Sequence, residues 1–349
     1  LKFFYALLFL IPLVSTADEQ KLMSGHIETP KGNYAFGPYV NYDSTYSWTF
    51  GAAFIKESED KTVDTFHLDL EGSSKGYLEA DVSYRKKLSS KWNGSIEFDY
   101  NTFFDPFYGT GISTQVKDKR LLEQHEIATK ANSFYEYSPE LSFGPFLEFH
   151  SRIERPEKQV DNKRFNQNEQ SASLGADLLY DTRDSKLDPY SGDNIELSAN
   201  LMPENLINLD NQKTFTQLKM DLRKYFPLYK TVFATRFAAG TTLGTPSYLY
   251  TYRLGGANYM RGYEANRFIG NKFAVIQLEE RFKIYKEFLS GTISYEVGSV
   301  TSKLYDKRRS CKGVGLRVAM PPDWRDKLSI NISRGDDQSN VEMEFNENF

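Results

Sequence analysis

The residues best placed to do chemistry in this sequence are charged groups that need partners, not nucleophiles. The stretch Tyr252-Arg253-Leu254-Gly255-Gly256-Ala257-Asn258-Tyr259-Met260-Arg261-Gly262-Tyr263 joins two arginines to glycines and aromatics and has neither helical nor strand periodicity. A guanidinium is always charged and presents five donors in a rigid fork, so it enters an interior only beside paired acceptors. Glycine permits turns that a Cβ forbids. The stretch therefore reads as a loop folded into an interior, with Arg261 held by carboxylates on the surrounding wall; a solvated surface loop is the alternative. A second charged group, Asp181, Arg183 and Asp184, is followed by Pro189 and Gly192. It reads as a turn whose arginine bridges two carboxylates rather than as a metal or phosphate site. The four histidines, His26, His67, His125 and His150, have no zinc-type spacing, and His67 and His150 fall on predicted strands as wall residues. Cys311 is the single cysteine, which excludes an intrachain disulfide and a cysteine metal site. With no phosphate loop, dinucleotide fingerprint or nucleophile arrangement, the sequence predicts no enzyme, no cofactor and no metal. A net charge of −4 with mixed signs gives no footprint for nucleic acid.

The elements that must position these residues are strands. Aromatics reach 15%, yet hydrophobics are only 40% and mean hydropathy is −0.56. Helical membrane spans need runs of about 20 apolar residues. A transmembrane barrel shows lipid only every second residue and fits this composition; a soluble β-sandwich or barrel fits it equally. Period-two alternation recurs: Phe66, Leu68 and Leu70 against His67, Asp69 and Glu71; Leu78, Ala80, Val82 and Tyr84 against Glu79, Asp81, Ser83 and Arg85; Ile195, Leu197, Ala199 and Leu201 against Glu196, Ser198 and Asn200. From residue 33 onward about sixteen such strands follow, within the even-numbered range of outer-membrane barrels. Their cores are expected near 33–42, 46–56, 63–71, 77–88, 92–103, 128–138, 140–152, 170–181, 193–201, 214–226, 231–241, 272–285, 289–299, 313–320, 328–334 and 339–347. Short links such as Ser138-Pro139 and Lys286-Glu287-Phe288 fall on one side, and the long connections 104–127, 153–169, 202–213, 242–271 and 300–312 on the other. Short periplasmic turns opposite long outer loops are the signature of a membrane barrel.

At the N-terminus, Lys2 precedes an apolar run from Phe3 to Val14, and Ser15-Thr16-Ala17 gives a small-x-small cleavage pattern. Residues 1–17 read as a secretory signal peptide. Residues 18–32 are then a short periplasmic segment and 33–349 the barrel, which places the protein in the bacterial outer membrane, with outer-membrane lipid as its surroundings. The chain closes on an alternating strand ending in Phe345 and Phe349.

Four stretches carry a family resemblance. Leu179-Tyr180-Asp181-Thr182-Arg183-Asp184 resembles the Asp-Thr-Arg-Asp turn of the BamA/TamA outer-membrane assembly superfamily, also called the bacterial surface antigen family. Met260-Arg261-Gly262-Tyr263 is similar to its Val-Arg-Gly-Phe/Tyr loop motif. Gln277-Leu278-Glu279 with Glu296-Val297-Gly298, and more weakly Phe107-Tyr108-Gly109-Thr110-Gly111, complete the match. The resemblance implies an all-β, 16-stranded antiparallel transmembrane β-barrel with the Arg261 loop inserted in the lumen. It implies that Arg261 contacts Glu279 and Glu296. Strand parity agrees: with Ile276, Leu278 and Phe282 facing lipid, Glu279 points inward, and with Ile293, Tyr295 and Val297 facing lipid, Glu296 does too. The chain departs from the family pattern in Glu296, where aspartate is usual, and in Met260, where valine is usual. Glu280 falls on the predicted lipid face. About fifteen residues between the cleavage site and the first strand leave no room for a periplasmic repeat, so a barrel-only member is expected.

The first strand carries Gly37 and Pro38, which weaken a ladder, and it must pair with the last strand near Phe345 and Phe349. That pairing reads as a lateral gate; the alternative is that Pro38 lies at a strand end and has no such role. The resemblance implies a barrel that moves or inserts unfolded or nascent outer-membrane polypeptides through its lumen or seam. Its competitors are a passive pore or small-molecule transporter and a structural surface-antigen barrel.

Overall fold

The computed structural model describes residues 25–29, 32–43, 47–57, 65–156, 167–186, 188–204, 213–246, 250–301, 307–319 and 327–345. Most of them are strand: β1 (Gly25–Thr29), β2 (Gly32–Asp43), β3 (Ser47–Glu57), β4 (Thr65–Ser73), β5 (Leu78–Lys87), β6 (Trp92–Phe107), β7 (Arg120–Glu136), β8 (Leu141–Pro156), β9 (Gln167–Asp181) and β10 (Gly192–Met202). There follow β11 (Phe215–Leu228), β12 (Thr231–Gly244), β13 (Tyr252–Leu254), β14 (Phe268–Gly270), β15 (Lys272–Tyr285), β16 (Leu289–Thr301), β17 (Arg309–Ala319), β18 (Lys327–Gly335) and β19 (Ser339–Phe345). Strands β2–β12 and β15–β19 make a closed, antiparallel 16-stranded transmembrane barrel. The short β13 and β14 pair only with each other, inside the long connection between β12 and β15.

Alternation sets the wall, and it is inverted relative to a soluble core. Ile293, Val314, Ile332 and Val341 are directly opposed across four adjacent strands. They are 54%, 59%, 55% and 42% exposed, while their polar neighbours Ser294, Ser333 and Asn340 are buried inside. An apolar row of this size in water would be a liability; facing hydrocarbon it is required.

The predicted strands appear in order. The largest shift is at β7, which starts at Arg120 rather than near 128 and pairs with β6 as far as Phe107. The extra residues were hard to read because their outward positions, Glu123 and His125, are polar and pair with each other. Glu280 lies on the outward face as parity requires, opposite Phe233 and Ile293 and shortly before a bulge between Lys283 and Tyr285.

The seam is short. Among the described residues β19 meets β2 at two positions, Glu342 opposite Asp43 and Met343 opposite Tyr42. By contrast β2 and β3 pair along their whole length, from Asn33–Glu57 to Asp43–Ser47. Further along the same edge of β2, Gly32–Phe36 pair with β1, within the segment expected to be merely periplasmic. Gly37 and Pro38 lie between these two paired stretches, mid-strand rather than at an end. The backbone of Phe345 continues β19, while Phe349 lies outside the described residues.

Candidate functional site: the lumen lock

The connection between β12 and β15 folds into the barrel. Gly255 and Gly256 have φ of +121° and +86°, which turns the chain inward, and Met260 has φ +65°. A β-branched residue would be strained there, which gives a physical reason for methionine at this position. Tyr263, Met260, Leu254 and Phe268 are fully buried against Val275 of β15, Val300 of β16 and Cys311 of β17.

Arg261 sits at the tip and is 4% exposed. Its Nη1 donates to Glu279 Oε2 at 2.7 Å. Its Nε donates to Glu296 Oε1, and its backbone N–H donates to Glu296 Oε2 at 3.0 Å. Glu296 therefore binds the side chain and the main chain of the same residue, which fixes the loop's orientation as well as its charge. The thiol of Cys311 lies 3.6 Å from Glu296 Oε2. Small residues make the room. A Cβ on Gly262 would sit 2.5 Å from Cys311 Cβ and from the Gly335 nitrogen. A Cβ on Gly298 would sit 2.8 Å from Met260 Sδ. The Tyr263 hydroxyl donates to the Ser310 carbonyl at 2.9 Å and accepts from the Asp336 N–H at 2.9 Å.

Three more arginines anchor the same loop, and sequence reading assigned none of them. Arg236 on β12 binds Asp221 on β11, with Nη2 2.5 Å from Oδ2. It also donates to the Asn258 carbonyl at 3.0 Å and lies 4.5 Å from the Tyr259 ring centre. Arg253 pairs with the fully buried Asp105 of β6, which also accepts from Asn266 at 2.7 Å. Arg267, fully buried, stacks on Tyr108 at 4.3 Å and reaches Asp337 at 3.1 Å. Tyr108 belongs to the Phe107–Gly111 stretch; its hydroxyl donates to Glu264 at 2.5 Å. Burial, and then that bond, push the Tyr108 phenol above its ordinary pKa.

The turn after β9 differs from its prediction in one respect. Arg183 forks onto Asp181 alone, at 2.9 and 2.8 Å. Asp184 accepts instead from the backbone N–H groups of Tyr190 and Ser191, at 2.9 and 3.0 Å. These two turn amides need an acceptor, and the Asp184 carboxylate supplies it. The turn so shaped carries Asp188, 5% exposed, beneath the lock. Lys327 Nζ on β18 lies 2.6 Å from Asp188, and Arg281 on β15 lies 3.9 Å from it. Arg281 in turn donates to Glu279 at 2.9 Å. The turn motif and the loop motif thus belong to one network, Arg261–Glu279–Arg281–Asp188–Lys327.

Solved structures with the same fold carry the same arrangement of strands. BamA from Haemophilus ducreyi lacking POTRA domains 1–3 superposes with a TM-score of 0.68 at 14% identity, over 90% of this chain and 70% of that one. CdiB from Escherichia coli gives 0.66 at 10% identity, over 92% and 63%, and CdiB from Acinetobacter baumannii 0.61 at 10%, over 92% and 60%. The chain spans less than two thirds of the length of either CdiB. No curated protein matches the sequence. The Omp85 superfamily domain matches residues 31–322, a span that contains the turn, the inserted loop and both acids that hold it, and the chain belongs to the Omp85 superfamily.

Proposed function

We propose that this barrel stands in a bacterial outer membrane and moves or inserts polypeptide, with the β2–β19 seam as its gate and the Arg261 loop as its internal lock. The observation that carries the reading is the seam, where among the described residues two pairs join the barrel's ends. An unpaired strand edge is a template for another strand. Here the edge of β2 already carries such a strand, β1, beside its two-pair closure. The family and the BamA-like and CdiB-like fold support a transport or insertion role, and unfolded or nascent outer-membrane polypeptides are the partners of suitable chemistry. The test is a disulfide across the seam between Tyr42→Cys and Met343→Cys, which are directly opposed. Oxidation is expected to stop assembly of other outer-membrane barrels and reduction to restore it. Equal activity in both states removes the gate.

A passive pore is the second reading, favoured by one feature. Asp69, Asp81 and Asp99 are directly opposed on β4, β5 and β6 and face the lumen. Such a row would select cations in a conducting channel. Conductance in planar bilayers, together with an unaltered set of outer-membrane proteins after depletion, would decide for it.

A further inference from the structure

On β17 and β18 the outward charges mark where the apolar belt ends. From the long-loop end, the outward residues of β17 run Lys312, Val314, Leu316, Val318, and those of β18 run Arg334, Ile332, Ile330, Leu328. The first position above the belt is a cation on both strands, and the register sets Lys312 directly opposite Arg334. Like charges in that arrangement repel. Both side chains are exposed, and among the described residues neither has an ion-pair partner. The acids of the adjoining β18–β19 connection are engaged elsewhere: Asp336 lies 3.5 Å from Arg309, and Asp337 lies 3.1 Å from Arg267. Two more exposed cations, Lys307 and Arg308, lead into the same strand. The Ser299 hydroxyl on the outward side of β16 donates to the Lys307 carbonyl at 2.6 Å, which sets this basic segment beside the same rim.

We propose that Lys312 and Arg334, with Lys307 and Arg308 above them, bind the phosphate groups of an anionic glycolipid in the outer leaflet. The proposal rests on the barrel standing in an outer membrane with its long loops outward, and it does not depend on the gate. Arg334 offers a fork that matches two phosphate oxygens, and Lys312 adds a compact charge beside it. Below them Val314, Leu316, Ile330 and Ile332 present the surface that acyl chains would cover. Basic clusters at headgroup level recruit anionic lipid for this reason. A lipid phosphate also removes the repulsion that the register imposes on the two cations.

The test uses the full chain in nanodiscs of zwitterionic lipid, with three probes: bisphosphorylated lipid A, its dephosphorylated form, and inorganic phosphate. The wild type is expected to retain the bisphosphorylated lipid in preference to the dephosphorylated one. K312Q/R334Q should weaken retention about tenfold or more, as two lost headgroup-level cations require. That variant should keep the weak affinity for the dephosphorylated form, and K56Q, an outward cation at the other rim, should behave as wild type. Retention of the bisphosphorylated lipid by K312Q/R334Q at the wild-type level overturns the proposal. Displacement of the lipid by an equal concentration of inorganic phosphate also overturns it. Folding of each variant is read from the heat-dependent gel shift of the barrel. Membrane location is read separately by fractionating cells, so a barrel that resides elsewhere is distinguished from one that lacks the site.

Discussion

Asp188, in the turn between β9 and β10, lies 2.6 Å from the ammonium of Lys327 on β18. The two residues come from opposite stretches of the wall, so the contact crosses the barrel beneath the Arg261 loop. Replacing Asp188 by Asn keeps the shape and removes the charge, which leaves Lys327 and Arg281 buried with less compensation. Loss of one partner from a buried ionic network costs about 3–5 kcal/mol. D188N should lower the urea midpoint of the detergent-solubilised barrel accordingly. K327M combined with D188N should recover part of the loss, because methionine removes one of the buried charges left with less compensation.

Arg261 should be intolerant even of lysine. Its fork reaches Glu279 and Glu296 together, and a single ammonium cannot reproduce both directions. R261K is expected to make residues 252–263 cleavable by added protease while the wall stays folded. R261E should do so more strongly, and R261E/E296R should restore part of the protection. Equal protection in all of these variants would show that the ion pairs do not hold the loop.

Glycine positions give a paired contrast. At Gly262 an added Cβ would come within 2.5 Å of the Gly335 backbone nitrogen, so G262A must displace the loop or β18. At Gly72 on the outward side of β4 the nearest atom would be 3.5 Å away, an ordinary contact. G262A should therefore expose the loop to protease and G72A should leave stability within about 0.5 kcal/mol, as surface substitutions usually do.

β1 makes a prediction about the edge it covers. Ile27→Pro removes a backbone donor and should release β1 from β2. Hydrogen exchange at Tyr34 and Phe36 should then rise well above wild type, with β3 to β5 unchanged. Unchanged protection at those amides would mean that β1 contributes nothing to closing this edge.

If the lumen conducts, the aspartate row should set its selectivity. D81N/D99N is expected to lower the cation-to-anion permeability ratio in planar bilayers, since it removes two of three charges from directly opposed positions.

The wall was legible from sequence because a period of two, repeated over many segments, has one physical solution: Ile293 and Val314 outward, Ser294 and Glu296 inward. The Arg261 partners were legible through the resemblance of the loop and strand motifs, and parity agreed by putting Glu279 and Glu296 on the inner face. Arg236 with Asp221 and Arg253 with Asp105 were not. Asp105 lies on β6, far from the loop in sequence, and although Asp221 is on the strand next to Arg236, parity names which residues face inward without saying which of them meet. Asp188 escaped for a different reason: it follows a turn motif whose charged residues drew attention to themselves, while its own partners are on β15 and β18. β1 escaped because five residues before a proline show too little alternation to be read. The bridge expected from Arg183 to Asp184 failed because backbone amides within the turn compete for the same carboxylate.

The Asp188–Lys327 contact acts as a strut across the cylinder, and a strut divides a ring into two arcs. One arc, β10 to β17, carries both acids that hold Arg261; the other, β19 and β2 to β9, contains the seam. The plug is moored to both arcs, through Glu279 and Glu296 on one and Asp105 on the other, so on the proposed gating a doorway that swings open keeps the first mooring and pulls on the second.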